Sequence, residues 1–192
     1  MTVIFEDPDS VVTDDRYPGW RARIVYDEYA GEPDGDALAP ALVIVTRRQP
    51  YLAKGVYMPQ SADEILAAWQ RLEDRDLFER YLRMFHGATT IAAASNRDLD
   101  VLVFDTADFH RHVGIRDLPA DVSGERDEWQ AWLDGEVYGV VVERHHAGTI
   151  TWDDGTTTAT GQWREVESVW GIYGHTYAAQ EAADMLDGCA SA

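Results

Sequence analysis

The chain has 192 residues, of which 45% are hydrophobic and 11% aromatic, enough for a folded core and unlike an intrinsically disordered protein. Its 35 Asp and Glu residues outnumber its 16 Lys and Arg residues, for a formal net charge of −19, and such a field repels nucleic-acid backbones and anionic lipids. The single cysteine, Cys189, excludes an intrachain disulfide. We therefore expect no direct binding to nucleic acid or to membranes.

The negative charge is concentrated at the two ends of the chain. Residues 1–40 hold ten acids and three bases, and residues 121–192 hold fourteen acids and three bases. Residues 41–120 are nearly neutral, with eleven acids and ten bases. If the two ends meet in space they form one strongly negative face, which serves either solubility or the imitation of nucleic acid.

The N-terminus has neither a basic segment nor a long apolar segment, so we predict no signal peptide. No apolar run approaches ~18 residues, the length needed to span a membrane. These features predict a cytoplasmic protein.

The first elements predicted are an irregular lead-in and a hairpin. Residues 1–19 are rich in Asp and contain two prolines, so we predict an irregular acidic lead-in. Residues 20–29 alternate between apolar and polar side chains, and residues 41–46 form a β-branched run. The intervening residues 30–40 are rich in Gly, Pro and Asp, so the two runs together predict a hairpin with a long loop.

A long helical region follows. Ser61 and Glu64 have the spacing of a capping box, and apolar residues then recur at helical spacing as far as Phe85. This pattern predicts one kinked helix or two, ended by Gly87 as the residue after the C-cap.

The next segments alternate between strands and helices. Residues 89–94 and 100–104 predict two strands joined by a turn at 95–98. Asp105 or Thr106 is expected to cap a short helix that runs through His112, and residues 123–133 predict a further helix.

The last part of the chain predicts strands at 137–145 and 162–173, with a short extra strand and loops over residues 148–161. A final helix starts at Thr176, and residues 188–192 are expected to fray. The complete pattern predicts one domain, residues 1–192, of α+β class. We expect a mainly antiparallel sheet built from hairpins, packed against a long helix and a C-terminal helix.

Motifs for metal, cofactor or nucleophilic chemistry are missing. His110 and His112 would point apart on a helix, and His145 and His146 would point apart on a strand. Neither a phosphate-binding glycine loop nor a Gly-x-Ser-x-Gly elbow is present. We therefore predict no metal, no cofactor and no catalytic residues. The alternative is a small hydrolase-like enzyme of unknown substrate, with a site near Ser168, His175 and Asp105.

The segment 163–174 is the most informative part of the sequence, because it combines three aromatic residues, two glycines and a period-two pattern just before the final helix. We interpret it as a core motif, with the Ser168 hydroxyl buried and bonded to backbone, or alternatively as an exposed surface for a partner. The candidate residues are Trp163, Ser168, Trp170, Gly171, Tyr173 and Gly174. Other aromatic residues in this third of the chain are Trp129, Trp132, Tyr138 and Trp152.

Three segments, residues 80–87, 134–143 and 166–174, resemble a group of uncharacterised acidic proteins from actinobacteria and from the viruses that infect them. The last motif of that group reads valine, an acid, serine, any residue, tryptophan, glycine, an aromatic residue, tyrosine and glycine. Here Ile172 replaces the aromatic residue. The resemblance covers roughly residues 75–180 and implies a virus or mobile-element accessory protein, with no activity or catalytic residue attached.

These observations lead to one main functional hypothesis. We expect a non-enzymatic accessory protein that binds a basic surface of a host protein. The sharpest form of this hypothesis is a DNA mimic that blocks a host defence enzyme. Small acidic antirestriction proteins provide the analogy for mimicry, on size and charge alone. A structural or self-assembling role, with the aromatic C-terminal third as the contact surface, is the other alternative.

Overall fold

A computed structural model of the chain describes residues 2–5, 10–33, 42–46, 49–53, 60–72, 74–107 and 122–192. Within these residues it contains nine strands and four helices, which confirms the predicted α+β class. In chain order the elements are β1 (Thr2–Phe5), β2 (Ser10–Thr13), β3 (Trp20–Tyr26), β4 (Leu42–Thr46), β5 (Tyr51–Leu52), α1 (Ala62–Leu72), α2 (Arg75–Phe85), β6 (Ile91–Ser95), β7 (Asp100–Phe104), α3 (Val122–Asp134), β8 (Val137–Thr151), β9 (Thr157–Tyr173) and α4 (His175–Ser191).

The chain divides into two compact units. Unit 1 consists of Met1–Ala30 and Glu136–Ala192, and unit 2 consists of Gly31–Gly135. Each unit has one antiparallel sheet of its own, in the strand order β1-β2-β3-β8-β9 for unit 1 and β5-β4-β7-β6 for unit 2. The expectation of a single domain stays a prediction, because compactness alone does not decide whether the units unfold together.

The core of unit 1 lies between one face of its sheet and α4. Ala22 and Ile24 on β3 pack with Val140 on β8. Small side chains on α4 let that helix approach the sheet closely, and it is anchored there by Ala178, Ala182 and Leu186, all of which are buried. Burial of this apolar stripe provides the main stabilisation of unit 1.

Both ends of the chain, which lie in unit 1, were predicted to be irregular, but each contains regular secondary structure. The supposed lead-in over residues 1–19 contains β1 and β2, because Val12 is fully buried against β3 and this gain outweighs the turn-forming composition around it. The tail predicted to fray after Gly188 continues as helix α4 to Ser191. Cys189 is partly buried against the core there, and its thiol donates a hydrogen bond to Glu167 Oε2 at 3.1 Å.

The hairpin predicted between residues 20–29 and 41–46 is wrong. Strand β3 pairs with β2 and β8, whereas β4 pairs with β5 and β7 in the other sheet. Both runs are strands, but strand partners are chosen by matching apolar faces across long sequence separations, which local patterns do not reveal.

The sheet of unit 2 is covered on both faces. Helices α1 and α2 pack on one face, where Phe78 and Leu82 meet Ile44. Helix α3 packs on the other face, where Trp129 meets Val43. Burial on both faces explains why β4 and β7 read as continuous apolar runs rather than alternating ones.

The single long helix in the fold prediction is two helices here. Residue 74 breaks the pattern, because the Asp74 carboxylate accepts from the amide of Leu77 and caps the start of α2. Gly87 follows the C-cap of α2 with φ of 64°, as predicted. Strands β6 and β7, the turn between them and α3 confirm the prediction, whereas the short helix through His112 lies outside the described residues beyond Ala107.

Candidate functional site

All six candidate residues lie on or next to β9, the last strand of the unit 1 sheet. Some of them determine the path of the backbone, and others contribute side chains to the surface. Strand β9 has two irregularities against β8: Val166 is an extra residue, and Trp170 with Gly171 stands opposite Gly139 alone. Gly171 has φ of 77° and Gly174, just before α4, has φ of 88°. Such backbone favours glycine, so both glycines are explained by the chain path.

Trp170 closes over the backbone of the neighbouring strand. A Cβ atom placed on Gly139 would lie 2.3 Å from Cε3 of the Trp170 ring. The indole therefore occupies the space that any other residue at position 139 would need, while 52% of Trp170 stays exposed. The Gly139 and Trp170 pair fixes the ring against the sheet without burying it.

Gly139→Ala is expected to lower the free energy of unfolding by about 1–3 kcal/mol, because the new methyl group collides with the Trp170 ring. The same change in a Trp170→Ala background should cost less than about 1 kcal/mol, since the colliding ring is absent. Urea denaturation of the four proteins measures this coupling. Equal costs in both backgrounds would show that the ring is not the obstacle.

Trp163 belongs to a polar cluster on the sheet face that is opposite α4. The Arg21 guanidinium lies 4.2 Å from the Trp163 ring centroid, and its Nε donates to Glu143 Oε2 at 2.7 Å. The His145 ring is 5.1 Å from the Trp163 ring, and it covers Gly161 so closely that a Cβ there would meet Nε2 at 2.2 Å. The cluster is an ion pair stacked on an aromatic ring, half open to solvent.

Ser168 and Tyr173 are both partly buried. The Ser168 hydroxyl donates to Glu165 Oε1 at 2.8 Å, so the expected bond to backbone is wrong. The bulge at Val166 explains this contact, because it brings residues 165 and 168 closer than in a regular strand. Tyr173 pairs with Val137 at the end of the sheet.

The aromatic residues divide into a buried group and an exposed group, and the partner surface stays a prediction. Trp129 and Tyr138 are core residues. Trp152, Trp163 and Trp170 are exposed, with Trp163 at 36%. The core interpretation therefore describes α3 and β8, while the outer strand β9 presents its tryptophans to solvent.

The residues of the hydrolase alternative have other partners. His175 Nε2 lies 3.4 Å from Ser10 Oγ, and its ring stands edge-on to Tyr138. Asp105, in unit 2, accepts from the amides of Thr89 and Thr90 at 2.7 and 2.8 Å and from the Thr89 hydroxyl. With Ser168 bonded to Glu165, these contacts add no support for a nucleophile and base pair.

An acidic groove runs along α4, and no motif in the sequence predicted it. Its volume is about 530 Å³, and it is lined by Asp14, Arg16, Gln180, Ala183, Asp184, Leu186, Asp187 and Gly188. Arg16 bridges Asp14 and Asp187 at 2.7 and 3.0 Å. The hydrogen bond from Arg16 lowers the pKa of Asp14 to about 2, and the Tyr17 hydroxyl, whose pKa is raised, donates to Asp187. The signal available in the sequence was acidic residues spaced along one side of the last helix.

Acidic residues outnumber basic residues in unit 1, and most of its arginines are held in ion pairs. Its sequence holds sixteen acids and five arginines. Arg16, Arg21 and Arg23 each lie against a carboxylate, with Arg23 at 4.0 Å from Glu143. The exposed acids in the described part of unit 1 are Asp15, Glu28, Glu136, Asp153, Asp154, Glu165, Glu167, Glu181, Asp184 and Asp187. Three of the five positive charges are thus neutralised locally, and the surface that remains is acidic.

Two further findings concern the described residues only. They contain no group of three His, Cys, Asp or Glu side chains arranged to hold a metal ion. Among their helices, none combines the length and the apolar character needed to cross a membrane.

Comparison with protein-family models, with curated proteins and with solved structures gave no match to this chain.

Proposed function

We propose that this chain is a non-enzymatic acidic accessory protein of a virus or mobile element, which binds a basic surface of a host protein in the host cytoplasm. In its sharpest form the proposal is DNA mimicry: the chain occupies the DNA-binding surface of a defence enzyme. The observation that carries the proposal is the charge of unit 1, where three of five arginines are held by carboxylates and nine of the ten exposed acids lie outside these ion pairs.

The α4 groove supplies the best local argument for a contact surface. Asp184 is exposed and lines the groove together with Asp14 and Asp187, the two carboxylates that Arg16 bridges. Glu181 is exposed three residues earlier on α4. Complementary charges of this kind raise association rates and exclude partners of the wrong sign. Because exposed charges are screened over ~8 Å at physiological salt, the binding must weaken as salt is added.

Reversing the charge of the groove is expected to abolish retention of the partner. Tagged Glu181→Lys/Asp184→Lys protein should lose, at low salt, the basic host protein that the wild type retains. The matched control is Glu28→Lys/Glu136→Lys, which makes the same charge change at exposed positions of unit 1 that do not line the α4 groove. The measurement is a pull-down from host lysate at low and at high salt.

The control separates a local surface from net charge. Loss of the partner in both variants would mean that total charge, and not the α4 groove, decides binding. Retention of no basic protein by the wild type at low salt would contradict the proposed function altogether.

A further inference from the structure

The outer part of the β8–β9 hairpin is a free-standing ribbon, here called the arm: residues 147–151 paired with residues 157–161, and the loop 152–156 that closes them. Strand β3 pairs with β8 only as far as Arg144, followed by one bond from the His145 amide to the Gly19 carbonyl. Every residue of the arm is exposed. Two-stranded ribbons are marginal in water, so an additional strand would stabilise the arm.

The outer edge of the arm lacks the devices that normally prevent strand pairing. Strand β9 is the terminal strand of its sheet, so the backbone groups along its outer edge have no partner strand among the described residues. The inner half of β9 is protected by its two bulges and by the charges of Arg164, Glu165 and Glu167. The outer half, Thr157–Trp163, has no charge, no proline and no bulge.

The two ends of the arm carry charged side chains without a partner of opposite charge, and at the base Arg164 is followed by the exposed acids Glu165 and Glu167. Arg144 and Arg164 stand directly opposite each other at the base, exposed, and no described residue gives either a carboxylate partner. Like charges in this position destabilise a ribbon. Asp153 and Asp154 are exposed in the loop at the tip, also without a basic partner among the described residues. At ~3.3 Å per residue the tip lies roughly 30 Å from the base, too far for contact in one copy.

We propose that the arm pairs with the arm of a second copy of this chain. The outer edges of the two β9 strands lie side by side and antiparallel, related by a two-fold axis that passes between the two Thr160 residues. Thr157 then stands opposite Trp163 of the second copy, and Arg164 opposite Thr156 of the second copy. The Asp154 carboxylate accepts from the Thr156 amide and hydroxyl at 2.9 and 2.6 Å, so it is held beside that position. In this register the Asp154 carboxylate lies beside Arg164 of the second copy, whereas Asp153 stands opposite Glu167 of the second copy. The attraction between tip and base therefore rests on the contact of Asp154 with Arg164.

Two constraints narrow the register, and Thr160 is the centre that sets the middle residue of the loop, Asp154, opposite Val166. A two-fold axis perpendicular to the ribbon keeps each face on its own side, so the centre must fall on a residue and not between residues. The paired segment is bounded by the loop at one end and by the Val166 bulge at the other. Centring on Thr160 makes the loop of one copy coincide with the bulge of the other.

Net charge opposes this association, because each copy carries −19. That repulsion is long-range and is screened over ~8 Å at physiological salt, whereas the contacts between tip and base are short-range. We therefore expect dimers at physiological salt and fewer at very low salt.

A charge exchange tests the pairing. The tip variant is Asp154→Arg and the base variant is Arg164→Glu. Each variant alone places like charges together at both contacts, so the dimer dissociation constant should rise by at least about tenfold. An equimolar mixture restores opposite charges at both contacts and should form a heterodimer as tight as the wild type dimer. Sedimentation velocity at physiological salt measures all four samples.

The alternative outcomes are distinct. A wild type that stays monomeric at the highest soluble concentration overturns the proposal. Variants that dimerise alone as tightly as the wild type, or a mixture that stays monomeric, overturn this register of pairing. The Arg164→Glu change leaves in place the Arg144 guanidinium, which lies over the Trp20 ring at 5.3 Å. Circular dichroism confirms that each variant is folded.

Discussion

Trp129→Ala is expected to lower the free energy of unfolding of unit 2 by about 3–5 kcal/mol. The Trp129 side chain is fully buried between α3 and the sheet, where it packs with Val43, Val45 and Val103. Removing the indole loses these contacts and leaves a cavity that α3 and the sheet close only in part. It also takes away the Nε1 donor that bonds Glu125 Oε1 at 3.0 Å inside the core.

Urea denaturation followed by circular dichroism measures this loss, and amide exchange in β4 and β7 assigns it to unit 2. Phe85→Ala is the matched control in the same unit, because Phe85 is 69% exposed and its removal should cost less than about 1 kcal/mol. A loss below about 1 kcal/mol for Trp129→Ala would mean that α3 does not hold the sheet of unit 2.

Asp105→Asn is expected to lower the free energy of unfolding by about 2–3 kcal/mol. The Asp105 carboxylate is buried at the end of β7, where it accepts from the amides of Thr89 and Thr90 and from the Thr89 hydroxyl. An asparagine keeps the shape and the Oδ1 acceptor but removes the charge, and its Nδ2 group stands where Oδ2 accepts from the Thr89 hydroxyl. The charge-assisted hydrogen bonds are thereby replaced by weaker neutral ones.

The control for this change is Asp100→Asn, which alters an exposed carboxylate at the other end of the same strand. It should change stability by less than about 0.5 kcal/mol. Both proteins are compared with the wild type by urea denaturation. Equal effects would assign the loss at Asp105 to charge in general and not to the buried hydrogen bonds.

Local patterns predicted the elements whose burial follows a regular period. The turn at 95–98 formed as expected because the Asn96 side chain accepts from the amides of Asp98 and Leu99, a contact that local sequence determines. Gly87 ended α2 for a similarly local reason, since its positive φ needs no distant partner.

Features set by distant contacts escaped prediction. The partners of β3 depend on residues more than a hundred positions away in β8. Residues 10–13 were predicted to be irregular because the surrounding sequence is rich in Asp, and that composition does not reveal that β2 packs against β3. Strand β8 continues to Thr151 and β9 begins at Thr157, so both strands extend well past the predicted bounds. The sequence did not predict this extension, because the arm is exposed on both faces and lacks the alternation of apolar and polar residues that marks a half-buried strand.

The candidate motif was located correctly as part of a strand that leads into the last helix, but its physical role could not be predicted. The ring of Trp170 over Gly139 and the ring of Trp163 against Arg21 depend on register across strands. The acidic groove likewise joins Asp14 to Asp187, from opposite ends of the sequence. Acidic residues from the two ends of the chain do meet in this groove, but only because strands that are distant in sequence pair in the unit 1 sheet.

Mutual exclusion with DNA tests the proposed function most directly. The host protein captured at low salt is mixed with duplex DNA and with this chain at increasing concentration, and the complexes are separated by gel filtration. The account predicts two alternative complexes, because the chain and the DNA compete for one basic surface: DNA releases the chain, and the chain releases DNA. A ternary complex of the host protein, the DNA and this chain would contradict it.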